Sequence, residues 1–226
     1  MLQIVRIDLA VVDMAGTTVR EDGLVERAFL TALGSLGVPL PPGLDDRFRR
    51  SRGGSKLAMF AAVLGGDMHL ATAAHDAFDL ALIAALERGE VKALAGAEEA
   101  LLELRTMGVK VALTTGFSRR VRDVVVERMG WTSLVDLVLS PEDAGRGRPY
   151  PDLALTALLR LEVDDVRQLA VVGDTANDLI AGTRAGASIV AGVLTGAHGR
   201  GELAAAPHTH LIESIAEFPA IVSEAR

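Results

Sequence analysis

Asp13 stands where an aliphatic run ends. Ile4 to Val12 reads as a β-strand, and Asp13-Met-Ala-Gly-Thr-Thr18 follows it directly. Open α/β sheets carry their reactive groups at the carboxyl ends of strands, which makes Asp13 a candidate nucleophile. Gly16, Thr17 and Thr18 supply a tight turn with N–H and hydroxyl donors suited to an anion. Residue 15 is equally informative. A second carboxylate two positions after a nucleophilic aspartate would be the natural general acid/base, and the chain carries Ala15 there.

Three further strand ends carry polar residues. Thr114-Thr115-Gly116 offers hydroxyls and an N–H, Gly147-Arg148-Pro149-Tyr150-Pro151 puts a cation before a helix, and Gly173-Asp174-Thr175-Ala176-Asn177-Asp178 puts two carboxylates one helical turn apart. Each has a plain structural use. The last would serve as a helix N-cap, Thr-Thr-Gly as an ordinary turn, and Arg148 as a surface charge. Four such elements at strand ends on one side of a parallel sheet point instead to one phosphoryl site. Asp13, Asp174 and Asp178 would repel one another unless a hard dication lay among them, which suggests Mg2+ with few protein ligands. Thr115 and Arg148 are donors for phosphoryl oxygens. Asp13 can attack phosphorus and form an aspartyl-phosphate.

The elements that must position these groups follow from periodicity. Residues 24–37, about 44–64 and 68–88 have helical spacing and no convincing strand, with Pro39, Pro41 and Pro42 separating the first helix from the second. From about residue 91 strand and helix alternate, with strands expected over 109–115, 135–140, 168–173, 188–193 and, weakly, 209–212. The fold expected is α/β: a doubly wound, Rossmann-like parallel sheet covered on both faces. Residues 1–18 and 91–226 would form this core, and residues 19–90 a small inserted helical cap. Gly196–Gly201 and Ala204–Ala206 read as a flexible surface loop.

Composition narrows the function class. The 226 residues carry a net charge of −7 and few aromatics, which offers no footprint for nucleic acid or an anionic membrane. There is no cysteine, and so no disulfide, thiolate metal site or cysteine nucleophile. The N-terminal run is broken by Arg6 and Asp8, unlike a signal peptide. No uncharged run approaches the ~20 residues of a membrane span. A soluble, cytoplasmic protein acting on a small molecule is the expectation.

With these motifs in order, the sequence resembles the haloacid dehalogenase superfamily over nearly its whole length. Asp-x-Ala-Gly-Thr-Thr together with Gly-Arg-Pro-Tyr-Pro is similar to its phosphonoacetaldehyde hydrolase (phosphonatase) branch. The resemblance implies that Asp13 is the nucleophile, that Asp13, the Ala15 carbonyl and Asp174 hold Mg2+ with Asp178 in support, and that Thr115, Gly116 and Arg148 position the phosphoryl group. It also implies a cap lysine that forms a Schiff base with the substrate aldehyde. Gly53-Gly54-Ser55-Lys56 lies where those enzymes carry Gly-x-x-Lys, so Lys56 is the candidate. Such an amine needs a desolvated or cationic pocket, and Arg49, Arg50 and Arg52 are near in sequence. The chain has only three lysines, which makes one at this position notable. Departures from the branch are Arg52 in place of Met, Met59 in place of His, and Phe117 in place of Tyr. Facing the cleft, Arg52 would favour a substrate with a further anionic group. The resemblance suggests a homodimer through the cap. The leading reading is a Mg2+-dependent hydrolase of a 2-oxoalkylphosphonate. The alternatives are a phosphatase of small phosphate monoesters using the same Asp13, and a non-catalytic ligand-binding module.

Overall fold

The computed structural model describes residues 6–20, 22–37 and 43–225. The expected break at Pro39, Pro41 and Pro42 and the start of the first strand at Ile4 lie outside the described residues. The chain runs β1 (Leu9–Asp13), β2 (Val19–Arg20), α1 (Leu24–Ser35), α2 (Leu44–Ser51), α3 (Lys56–Val63), α4 (Met68–Glu87), β3 (Lys92–Ala93), α5 (Ala97–Thr106), β4 (Lys110–Thr114) and α6 (Arg119–Met129). It continues through β5 (Leu137–Leu139), α7 (Pro141–Ala144), α8 (Asp152–Arg160), β6 (Leu169–Gly173), α9 (Ala176–Ala185), β7 (Ile189–Val193), α10 (Arg200–Ala204), β8 (His210–Ile212) and α11 (Phe218–Glu224).

The main sheet has the order β5-β4-β1-β6-β7-β8, all parallel. Leu9 to Asp13 are buried without exception, because β1 is central and helices cover both faces. The chain leaves β1 toward β4 and later returns to lay β6 on its other side, which makes the carboxyl end of β1 a topological switch point. Asp13 is in register with Thr114, so the Asp13 turn and the Thr115 turn emerge side by side. One apolar cluster joins Ala10, Val12, Val111 and Leu113 to α5, α6 and the helical module, and a second packs Leu9, Val11 and Leu169 under α8. The expected α/β fold is the observed one.

Two local expectations change. The single helix foreseen over 44–64 is two, α2 and α3, parted at residues 52–55, where Gly53 takes a φ of 78° and the Ser55 hydroxyl accepts the Ala58 N–H. Gly-Gly before a serine N-cap is a readable stop and start, overridden by the apolar periodicity around it. The module is also flanked by a strand pair: β2 pairs antiparallel with β3 at the two ends of the insertion. Strands of two residues are too short to show a period.

Candidate active site

The turn after β1 is closed by its own backbone. The Thr18 and Val19 N–H groups both donate to the Met14 carbonyl, and the Thr18 hydroxyl donates to the Asp13 carbonyl at 3.1 Å. Gly16 has a φ of 89°, and a side chain there would collide with the Asp174 carboxylate. A side chain at Gly196 would strike the same carboxylate from the other side. Two glycines therefore clasp Asp174, whose Oδ2 accepts the Ala197 N–H at 2.6 Å.

Asp13, Arg148 and Asp178 meet in the buried centre. Arg148 Nη1 donates to Asp13 Oδ1 at 2.5 Å and also to Asp178 Oδ1. Asp178 Oδ2 accepts from the Thr175 backbone N–H at 3.0 Å and from its hydroxyl, closing a capping box on α9. Both Asp178 oxygens are thus committed to Thr175 and Arg148. These bonds orient both the arginine and the helix start. Thr115 lies beside this group, with its hydroxyl accepting the Phe117 N–H at 3.2 Å.

Burial sets the electrostatics. Desolvation raises the Asp13 carboxyl to about 6, with Asp178 adding to the rise and Arg148 opposing it. Asp174 is pushed well above the ordinary carboxylate range by burial first, then by the charges of Asp13 and Asp178. Burial works against the Arg148 charge, but Asp178 and Asp13 outweigh it and hold its pKa above the ordinary arginine value. Three donors here have no protein acceptor although buried: Arg148 Nε, Arg148 Nη2 and the Thr17 hydroxyl. Orphaned buried donors call for an explanation, and an anionic ligand gives one. Two repelling carboxylates, Asp13 and Asp174, likewise fit a hard cation. Among the described residues no cluster of three His, Asp or Glu side chains is placed to grasp a metal. Mg2+ does not require one, since it takes one or two carboxylates and keeps several waters.

The helical module closes over this centre through the loop between α2 and α3. The Lys56 N–H donates to the Gly116 carbonyl at 3.1 Å, and any side chain at Gly116 would collide with the Gly54 carbonyl. Lys56 is 6% exposed; its Nζ lies 3.5 Å from the Gly54 carbonyl and 5.5 Å from the Phe117 ring centroid. Arg52 lines a cleft of ≈ 550 Å³ with Arg20, Gly16 and Gly196, its guanidinium 5.5 Å from the Phe48 ring. Arg49 is exposed on α2. Ala15 borders an apolar cavity with Leu24, Leu82, Leu86, Phe117 and Val125. The position of the absent acid/base is therefore walled by hydrocarbon. Of the residues singled out in the sequence, the structure gathers Asp13, Ala15, Thr17, Thr115, Gly116, Arg148, Asp174 and Asp178 at the sheet edge, and lays Arg52 and Lys56 against it.

A family model described as haloacid dehalogenase-like hydrolase matches residues 7–186. The chain belongs to the haloacid dehalogenase-like hydrolase family. Among curated relatives, phosphonoacetaldehyde hydrolase of Bacillus cytotoxicus is 34% identical over 104 residues, covering 46% of this chain and 39% of that one. The Bacillus cereus enzyme of the same name is 32% identical over 123 residues, 54% of this chain and 46% of that one. The chain thus matches less than half the length of these relatives. Among solved structures, a hydrolase from Pseudomonas syringae superposes with a TM-score of 0.83 at 22% identity, covering 96% of this chain and 98% of that one. A phosphonoacetaldehyde hydrolase like protein from Oleispira antarctica gives 0.79 at 19%, covering 97% and 92%. At such identities these two speak for the fold.

In this haloacid dehalogenase-like hydrolase, sequence reasoning missed the segment after β7. Of the stretch expected as a flexible surface loop, Gly196–Gly201 and Ala204–Ala206, the start is packed and the middle helical: His198 is buried, residues 200–204 form α10, and just before them the Thr195 hydroxyl donates to the Gly16 carbonyl at 2.7 Å. Gly196 allows close approach to Asp174 where mobility had been read. The usable signal was position, since the segment follows a strand that ends on the same side of the sheet as Asp13. No described helix is long and apolar enough to cross a membrane.

Proposed function

We propose that this hydrolase cleaves the C–P bond of phosphonoacetaldehyde or a related small 2-oxoalkylphosphonate. The observation that carries the reading is Lys56, a buried amine on the first residue of α3, tied by its own backbone N–H to the loop that bears Thr115. Similarity to the Bacillus enzymes over the aligned segment supports it.

The Lys56 amine adds to the substrate aldehyde and, with one proton taken up from solvent, expels water to leave a protonated imine. An Asp13 carboxylate oxygen forms a bond to phosphorus while the C–P bond breaks, and the bonding pair moves into the imine to give an enamine. Protonation at carbon and addition of water release the aldehyde product and return the amine. A second water hydrolyses the aspartyl-phosphate to inorganic phosphate and restores Asp13. Arg148 Nε and Nη2 and the Thr17 hydroxyl would take phosphoryl oxygens, since they are buried without protein partners. Mg2+, which Asp13, the Ala15 carbonyl and Asp174 would hold, would supply positive charge that offsets the carboxylates and the phosphoryl oxygens. The imine accepts the electron pair, so the carbon leaving group needs no carboxylic acid. The Ala15 methyl in its apolar surroundings agrees with that.

The test is borohydride trapping with phosphonoacetaldehyde and Mg2+, followed by peptide mass analysis. A reduced adduct on Lys56, and loss of phosphate release in Lys56→Arg by about 10³-fold or more, is the expected result. No adduct, with phosphate released from ordinary phosphate esters, would replace this reading with a phosphatase in which Lys56 only binds substrate.

A further inference from the structure

α2 is eight residues long; the Arg52 N–H closes on the Arg49 carbonyl at 3.2 Å, and a helix's last carbonyls otherwise look outside it for donors. At its C-terminal end two carbonyls are met by donors from the α/β core. Asn177 Nδ2 donates to the Arg52 carbonyl at 2.7 Å, and His198 Nε2 lies 3.4 Å from the Arg49 carbonyl. The ring assignment of His198 follows from its other bond. Nδ1 accepts the Ala176 N–H at 3.0 Å, so the ring proton sits on Nε2 and is directed at Arg49. The same short segment holds Asp174, through the His198 N–H to its carbonyl at 3.3 Å and the Ala197 N–H to its Oδ2. Asn177 lies between Asp174 and Asp178 on the opening turn of α9. Both donors therefore stand on the segments that place the carboxylates, and both reach across to the chain that leads into Lys56.

We propose that Asn177 and His198 are positioning residues that complete the C-terminal end of α2 from the core, so that the Arg52–Lys56 loop is seated over Asp13 only while these donors are engaged. The two acceptors are main-chain carbonyls three residues apart, and so report the position of the helix end and not the identity of any side chain. The seat is independent of what the substrate proves to be.

Absence of cysteine makes the test direct. Leu80→Cys on α4 and Leu159→Cys on α8, 55% and 74% exposed, give two thiols for spin labels on the two layers, and pulsed electron resonance reads the distance between them. The parent should show one dominant short distance. Asn177→Ala combined with His198→Asn, in which the shorter amide keeps an acceptor for Ala176 but cannot reach Arg49, should raise a longer population. Each lost bond should shift the ratio roughly threefold to tenfold. With Asn177 intact, His198→Asn alone should raise a smaller longer population, and His198→Gln, whose amide reaches farther, should restore the short distance. If the doubly substituted protein does not fold by circular dichroism, Asn177→Ala alone carries the test. A distance distribution unchanged by loss of the donors, or a shift that His198→Gln fails to reverse, would overturn the proposal.

Discussion

The two sides of the site are built from different materials. On the sheet side the work is done by side chains: Arg148 bridges Asp13 and Asp178, Asp178 caps α9, and two glycines clasp the Asp174 carboxylate. On the helical side the contacts are mostly main chain. Lys56 N–H meets the Gly116 carbonyl, Gly54 abuts Gly116, and the Arg49 and Arg52 carbonyls receive core donors. Side chains of the module also cross: Asp79 accepts from the Ser118 hydroxyl at 2.5 Å, and the Lys56 amine lies over the Phe117 ring. Main-chain contacts do not depend on residue type, so the loop can dock in one way while carrying different side chains. The charge set around Asp13 has no such freedom, because Asp178 raises both Asp13 and Asp174 and Asp13 raises Asp174 further.

The sharpest way to break the fit of the helical side is Gly116→Ala. Its methyl would meet the Gly54 carbonyl, lift the loop and misplace Lys56. Turnover should fall on the order of 100-fold while far-ultraviolet circular dichroism stays that of the parent. Retained turnover would mean that the loop adapts and the main-chain fit is loose.

On the sheet side, Ala15→Asp offers the acid/base of ordinary phosphatases. It should fail to raise phosphate-ester hydrolysis, and it should lower stability by roughly 1–3 kcal/mol in urea titration, because the new carboxyl faces Leu82, Phe117 and their apolar neighbours. A gain in esterase rate would show that the wall yields to water.

Acid should act on Asp13 directly. With its carboxyl raised to about 6, Asp13 is protonated below that pH; as the proposed nucleophile it would then be inactive, and kcat/KM should drop about tenfold per pH unit there. Added Mg2+ favours the carboxylate and should move this acid limb to lower pH. A limb insensitive to Mg2+ would separate the metal from Asp13.

The smallest effect belongs to the Ser118–Asp79 contact. Burial raises Asp79 above its ordinary 3.8, with Ser118 and His75 opposing and Glu142 and Asp76 adding. A raised carboxyl favours the folded state most below its ordinary pKa, and that contribution is lost as pH rises through the higher folded value. Asp79→Asn keeps an acceptor for Ser118 and removes the buried charge. It should therefore gain on the parent, by less than about 1 kcal/mol, as denaturation is followed from acid toward neutral pH.

Much of the sheet side was legible because it is written in local signals. Aliphatic runs ending in Asp13, Thr114-Thr115-Gly116 and Gly173-Asp174 mark strand ends, and a parallel sheet aligns such ends on one side. The helical side was less so. The β2–β3 pairing joins residues more than seventy positions apart with no periodicity to announce it. Gly53-Gly54-Ser55 was read as motif but not as the end of α2. At Gly196 a glycine needed for close approach was taken for one conferring freedom, and local sequence does not separate the two uses. Arg148 was picked out by its motif, while its bridge between Asp13 and Asp178 depends on tertiary placement.

The hydrocarbon wall around Ala15 has one more consequence. On the proposed chemistry, it makes the enzyme selective through leaving-group basicity. An alkoxide departing from a phosphate ester would find no proton donor at residue 15, whereas a carbanion drained into an iminium needs none. Common metabolic esters could enter, engage Arg148 and leave intact. Fidelity would then come from a catalytic group left out, with no need for a pocket shaped to refuse them.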